Sequence, residues 1–253
     1  MKDNLDIFIG AYKDFIPPVY DKAYKIIVGN HDLNIDTGLD IIKCGNGEDC
    51  LDDKFYSEIY MLSKLVENGY QFKEYVGFCH YRKYFSFMDD IPDFDELFKS
   101  FDCVVAKPMY FKNGNKSQYE LAHNIEDLYI IGGIIADKYD EYIKAYKTML
   151  NSKIFMPYNM FVMKKNDFFE YIKFVKGVLD EYVNVVGKNI IKRIKGNYDK
   201  YLKKFYPNGT IGYQYRIGGY LAERLTNIFI IGKFSKVKAY PIEITEIKYK
   251  NLE

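Results

Sequence analysis

The stretch Tyr75-Val-Gly-Phe-Cys-His-Tyr-Arg-Lys-Tyr-Phe85 changes character half-way along. Its first five residues form an apolar run of strand length; His80, Tyr81, Arg82, Lys83 and Tyr84 then crowd cationic and phenolic groups together. A buried strand that empties into polar groups is how α/β proteins present ligand-binding side chains beyond the carboxyl end of a sheet. Arg82 offers a planar fork for phosphate or carboxylate oxygens, and Lys83 adds a point charge. His80 and the tyrosines can donate to the same anion or stack on a base. The competing structural reading pairs Arg82 with a carboxylate and packs the aromatics into the core.

Upstream, Asp6 to Tyr12 and Tyr24 to Gly29 are short apolar runs ending in or near glycine, the form of buried strands followed by turns. Residues 31–58 hold eight acids and two bases and read as an acidic surface loop or lid. From Asp53, Phe55, Ile59, Leu62 and Val66 recur at helical spacing with Gly69 as the stop, which predicts one helix over 53–68 leading into the quoted stretch. Downstream, Phe101 to Ala106 is another strand. Ser117-Gln-Tyr-Glu120 has the form of a capping box, so a helix carrying His123, Glu126 and Asp127 is expected to begin there and to be interrupted at Gly132-Gly133. A helix from about Asp137 to Asn151, a strand over Asn159–Met163 and a helix capped by Asn166 follow. Residues 217–228 form a further helix, with Ile228 to Ile231 open to a final strand. Strands alternating with helices give an α/β class with a mostly parallel sheet, read as a single domain over 1–253.

The 253 residues carry a net charge of +1, which gives no global argument for nucleic acid. The 26 tyrosines and 19 phenylalanines, with no tryptophan, fit an AT-rich coding sequence. Cys44, Cys50, Cys79 and Cys103 form no CxxC pair and there are three histidines, which argues against structural zinc. No apolar run approaches membrane-spanning length and no signal sequence is visible, so a cytoplasmic protein is expected. Between Lys188 and Tyr206 seven basic residues face the single acid Asp199, with Ile190, Ile191, Ile194, Tyr201 and Phe205 interleaved. This basic segment, residues 187–206, is either a solvated face, a peripheral contact for anionic membrane or a phosphate-binding surface.

In His123-Asn-Ile-Glu-Asp127, a histidine and carboxylates at helical spacing suit general-base chemistry, or simply cap a helix. Asn159, beside Tyr158, can hold a sugar hydroxyl or satisfy local backbone. Glu223-Arg224 is a charged pair in an apolar helix face, either buried as an ion pair or in contact with a ligand.

Phe78-Cys-His-Tyr-Arg-Lys-Tyr-Phe85 resembles the HYRRYF-type signature of a bacterial family of capsular and exopolysaccharide glycosyltransferases, long filed as a domain of unknown function. Asp36-Thr-Gly38, Tyr56-Ser-Glu58, His123 to Leu128, Tyr158 to Lys164 and Gly219 to Asn227 resemble further blocks in the same order. Lys83 stands where many relatives have arginine, and the loop around Cys44 to Cys50 departs from the pattern. The resemblance implies a GT-A-like fold and a transferase using a nucleotide-sugar donor; one member of the family is a galactofuranosyltransferase. It implies a capsular, exopolysaccharide or lipopolysaccharide acceptor, free or lipid-linked. Gly10, Ala11, His80, Tyr81, Arg82 and Lys83 are then the donor side, Tyr158, Asn159, Glu223 and Arg224 the acceptor side. Asp127 is the base, with Glu126 second and His123 orienting. GT-A enzymes carry a metal-binding Asp-x-Asp at about the place occupied here by His80-Tyr81-Arg82. Cations are therefore expected to stand in for a metal: no cofactor is expected, with manganese or magnesium left open.

Overall fold

The computed structural model describes residues 4–17, 21–35, 37–45, 51–197 and 215–244. β1 (Leu5–Gly10) lies between β2 (Tyr24–Val28) and β4 (Tyr75–His80), parallel to both, and β3 (Asp40–Lys43) continues the parallel run beyond β2. On the other side of β4 comes β9 (Phe161–Lys164), antiparallel to its neighbours, then β6 (Cys103–Ala106) and β10 (Val237–Tyr240). The order is therefore β10-β6-β9-β4-β1-β2-β3. β5 (Lys83–Phe85) folds back on β4 and pairs with β11 (Ile242–Ile244), while β7 (Met109–Tyr110) and β8 (Ile154–Phe155) form a small separate sheet. The expected class holds: α/β, with a mainly parallel central sheet flanked by helices in one domain.

Two-residue periodicity sorts the core into two layers. Phe8, Val76 and Phe78 join one cluster; Leu5, Ile7, Ile9, Tyr75 and Cys79 join the other. The first layer is closed by α2 (Glu58–Glu67), α5 (Ile125–Lys138), α6 (Ile143–Asn151), α7 (Lys165–Val186) and the helix over Ile217–Lys233; the second by α3 (Phe94–Ser100) and the β5 hairpin. α1 (Leu51–Tyr56), α4 (Gly114–Glu120) and α8 (Ile190–Asn197) are further helices, and Ile217–Lys233 is α9.

Several sequence expectations need correction. The helix predicted over 53–68 is two helices, α1 and α2, broken at Ser57, whose φ of 54° and ψ of −129° no helix accommodates. The capping box at Ser117 does not start a helix: α4 already runs from Gly114, and the chain breaks before Asn124 caps α5 by accepting from Glu126 N. Gly132 and Gly133 lie inside α5, where Gly132 makes room for the Tyr146 ring. α7 begins at Lys165, ahead of the expected Asn166 cap, and Ile228 to Ile231 belong to α9. Asp36, Cys50, residues 198–206 of the basic segment and the Pro207-Asn-Gly209 turn lie outside the described residues.

The N-terminal turn of α9 sits almost on the Ser57 break. A Cβ on Gly218 would lie 2.5 Å from the Phe55 carbonyl oxygen, and one on Gly219 2.9 Å from Ser57 Cβ. Backbone against backbone has no rotamer to relax into, so Gly218→Ala is expected to destabilise the fold by about 1–3 kcal/mol, the usual overpacking range. A thermal midpoint matching wild type would show that α9 approaches less closely.

Candidate functional site

β1 is where the strand order reverses: β2 and β3 lie to one side, β4 to the other. The crevice beyond the carboxyl ends at such a switch point is where open α/β sheets bind ligands. Gly10 and His80, the last residues of β1 and β4, are register partners there. The described residues thus bring the quoted stretch to the expected edge of the sheet. They also show how it turns: Tyr81 and Arg82 form the tip of a tight hairpin, because Lys83 pairs back with His80.

Arg82 is exposed and lies over the Tyr81 ring at 5.2 Å, with no carboxylate partner among the described residues. Lys83 is half-buried, its Nζ 4.4 Å from the centroid of the Tyr158 ring. Burial lowers its pKa, and the Arg82 charge adds to this against the pull of Glu223 and Glu58. Tyr81 is largely buried, in edge contact with Phe15. Gly10 and Ala11 are enclosed, Gly10 against the Phe78 ring, so backbone direction is what they contribute.

His80 Nε2 lies 2.6 Å from the Tyr158 carbonyl oxygen. A carbonyl only accepts, so Nε2 carries a proton, and in the neutral ring Nδ1 holds the lone pair. Burial pushes the imidazole pKa below its ordinary value; Lys83 and Arg216 add to this, against the pull of Glu58 and the carbonyl. Burial thus works against the cationic role that the sequence reading assigned to His80, and Glu58 works for it.

The organising group is one that sequence reading left in the background. Glu58, 3% exposed, accepts from Asn159 Nδ2 at 2.7 Å through Oε1. Its Oε2 faces Arg216 Nη2 at 3.8 Å. Burial opposes ionisation, yet its pKa is lowered overall by the His80 and Arg216 charges, the Ser57 hydroxyl and its own backbone N–H. Ser57 Oγ accepts from Arg216 Nη2 at 2.8 Å and pairs with the Tyr12 hydroxyl at 3.1 Å. Asn159 Oδ1 in turn accepts from Thr226 at 2.6 Å, and Thr226 meets the Tyr171 hydroxyl at 2.9 Å. Ser57, Tyr158 and Asn159, with φ of 54°, 70° and 52°, are the non-glycine residues with positive φ among the described residues; Ser57 adjoins Glu58 in the chain, Asn159 donates to it, and the Tyr158 carbonyl meets His80. Such backbone costs roughly 1–3 kcal/mol per residue and persists only where its surroundings over-determine it.

On the acceptor side as read from sequence, Asn159 is enclosed and its amide is engaged on both faces by Glu58 and Thr226. Arg224 is also buried, bonded to the Tyr220 carbonyl, Glu223 and Gln118, between the Tyr119 and Phe155 rings. Tyr158 and Glu223 remain partly exposed. Burial raises the pKa of Glu223 against the pull of Arg224, and Glu58 adds to the rise.

The proposed base reads differently in three dimensions. Asp127 is 0% exposed; its Oδ1 accepts from Arg193 Nε at 2.6 Å and from the Tyr182 hydroxyl at 2.8 Å. A carboxylate enclosed in this way has no path to an acceptor hydroxyl. Glu126 is exposed and reaches the same Arg193 at 3.2 Å. His123 precedes α5 rather than sharing its face, and its ring packs between Tyr119 and Tyr220 at 4.8 and 4.2 Å. Glu126 and Asp127 thus form the ion pairs that hold α8 to α5, while His123 packs between α4 and α9. Within the basic segment, Arg193 is therefore engaged and Ile194 is buried, while Lys192 and Lys195 face solvent.

Residues 6–234 match a family model described as a domain of unknown function, DUF4422. The chain belongs to the DUF4422 family. The apo structure of WbbM, a bifunctional glycosyltransferase, is similar to this DUF4422 chain with a TM-score of 0.73 at 21% identity. That likeness, one of fold, covers 97% of this chain and 46% of the WbbM chain, so the chain spans about half the WbbM length. No curated protein sequence matches it. Among the described residues no helix is long and apolar enough to cross a membrane, and no three His, Cys, Asp or Glu residues gather as a metal site. Among the described residues the β4 end offers an ammonium, a guanidinium and two carboxylates: Glu58, engaged by Asn159 and Arg216, and the partly exposed Glu223.

Proposed function

We propose that this DUF4422 chain is a glycosyltransferase whose nucleotide-sugar donor lies beyond the ends of β1 and β4. The observation that carries the reading is the cation set Arg82, Lys83 and Arg216 around a strand switch point, with the partly exposed Glu223 coupled to Lys83. In the transfer, an acceptor hydroxyl oxygen bonds to the anomeric carbon as the bond from that carbon to the diphosphate oxygen breaks. The electron pair leaves with the diphosphate, whose growing charge the three cations stabilise. The hydroxyl proton passes to Glu223. A carboxyl with a raised pKa is a better base near neutral pH than an ordinary one. Asp127, enclosed by Arg193 and Tyr182, keeps a structural part instead.

The finer reading rests on the block resemblance. The HYRRYF-type stretch supports a UDP-linked donor with galactofuranose or a related hexose, and a capsular, exopolysaccharide or lipopolysaccharide acceptor. The solvent-facing Lys192 and Lys195 are the described part of the basic segment that supports peripheral contact with an anionic membrane.

The experiment is a turnover assay with UDP-galactofuranose and UDP-hexoses in the presence of EDTA. Sugar transfer is expected to survive chelation and to fall at least about 10²-fold in Glu223→Gln. Activity abolished by EDTA and restored by manganese would overturn the cation role. Binding of the donor with no turnover on any acceptor would favour a carbohydrate- or nucleotide-binding module.

A further inference from the structure

We infer that Glu58 is the positioning residue of this site, the carboxylate on which two strained turns close to fix the His80 imidazole and the Arg216 guanidinium. The activity part of this inference rests on the glycosyltransferase reading; the geometric part does not.

The two turns are about a hundred residues apart in sequence and have no shared local cause. At the first, Ser57 adopts a backbone conformation suited to glycine, breaking a stripe of apolar residues that would otherwise run as one helix. The break puts Glu58 at the first turn of α2, its side chain facing inward, and sets Ser57 Oγ against Arg216 and Tyr12. At the second, two successive left-handed residues aim the Tyr158 carbonyl at His80 Nε2 and the Asn159 amide at Glu58 Oε1. Thr226 and Tyr171 hold the far side of that amide.

A buried carboxylate between two strained turns is a poor way to build a core. An apolar residue on α2 and an unbroken helix would fill the space without strain or desolvated charge. What the arrangement achieves is a fixed division of states. The Tyr158 carbonyl sets the His80 tautomer. Glu58 from α2, Lys83 from β5 and Arg216 from the start of α9 are the charged groups whose fields act on the ring. Glu58 is the anion in that set, so it counters the combined push of Lys83 and Arg216, and it holds the guanidinium beside the place assigned to the diphosphate. Side chains locked by such an outer shell are what precise positioning of reacting groups requires.

The test uses Glu58→Gln, which keeps the shape and an acceptor for Asn159 but removes the charge. With three histidines in the chain, His31, His80 and His123, imidazole signals can be assigned and titrated by NMR. In Glu58→Gln the His80 midpoint should move further down, because the anion that raises it is gone. For a nucleotide-sugar substrate, kcat should fall about 10²-fold with little change in KM, the signature of an interaction made in the transition state. Ser57→Gly should raise the thermal midpoint by about 2–4 °C while lowering kcat, since glycine relieves the backbone but loses the hydroxyl that Arg216 uses. An unmoved His80 titration in Glu58→Gln, or full kcat in both variants, would overturn the inference. If wild-type protein transfers no sugar, the glycosyltransferase reading fails, and the His80 titration still decides the positioning role.

Discussion

Arg193→Ala is expected to destabilise the protein by about 3–5 kcal/mol at alkaline pH, more than any other single truncation considered. The reason lies in what it leaves behind. Asp127 is 0% exposed and Arg193 is 19% exposed at the side chain, so the guanidinium is the bridge between a sealed carboxylate and water. Burial already raises the Asp127 pKa, opposed chiefly by Arg193. Without Arg193 the opposing charge is gone and the folded-state pKa rises further. A carboxyl raised on folding binds its proton more tightly in the native state. Its favourable contribution is therefore present below the unfolded pKa and is lost as pH rises through the folded value. The Arg193→Ala defect should accordingly shrink on acidification and grow toward alkaline pH. Adding Asp127→Asn should recover much of the loss, because an amide can still accept from Tyr182 without a stranded charge. Denaturant unfolding of the single and double variants across pH would measure this. A pH-independent defect, or one that the second substitution leaves in place, would mean that Arg193 acts through packing alone.

The same pair shows what could be read in the sequence and what could not. The buried strands β1, β2, β4 and β6 are short apolar runs, so the α/β class and the exit of β4 into a polar cluster were legible. So were the apolar stripes of α7 and α9. The break at Ser57 was not. Phe55, Ile59, Leu62 and Val66 keep helical spacing across it, and the groups that meet the break, Arg216 and the start of α9, lie more than 150 positions away. Glu58 sits one place off that stripe, where a carboxylate ordinarily faces solvent, so its burial had no local signal. Arg216 likewise gains its meaning from Ser57 and Glu58 rather than from its neighbours in sequence. Conversely, the His123-Asn-Ile-Glu-Asp127 spacing suggested a catalytic face because helical periodicity was carried through a position where the chain breaks. Asn124 caps a new helix there and rotates His123 away from Asp127. The basic residues of segment 187–206 read as one surface, yet Arg193 turns inward to the carboxylate that local reading had assigned to chemistry.

Arg82→Ala should weaken binding of UDP and of UDP-sugars by about 10- to 100-fold, the equivalent of about 1.5–3 kcal/mol for a charge-assisted hydrogen bond. Arg82 is the cation that an anion can reach without displacing a protein partner among the described residues, and its stacking on Tyr81 presents the fork rather than engaging it. Lys83 adds a pH dependence that Arg82 cannot have. Its pKa is lowered by burial and then by Arg82, so as pH rises its ammonium is lost before that of an ordinary lysine. UDP affinity in the wild type should therefore decline on the alkaline side, below the range where exposed lysines deprotonate. Lys83→Arg replaces the titrating group with one that stays charged throughout. Calorimetric titration of UDP into wild type and Lys83→Arg should then show a decline in the first and a flat profile in the second. A decline of equal size in both would assign the titration to another group and leave Lys83 as a stacking partner of Tyr158. An Arg82→Ala variant that binds UDP as tightly as wild type would place the diphosphate away from the hairpin altogether.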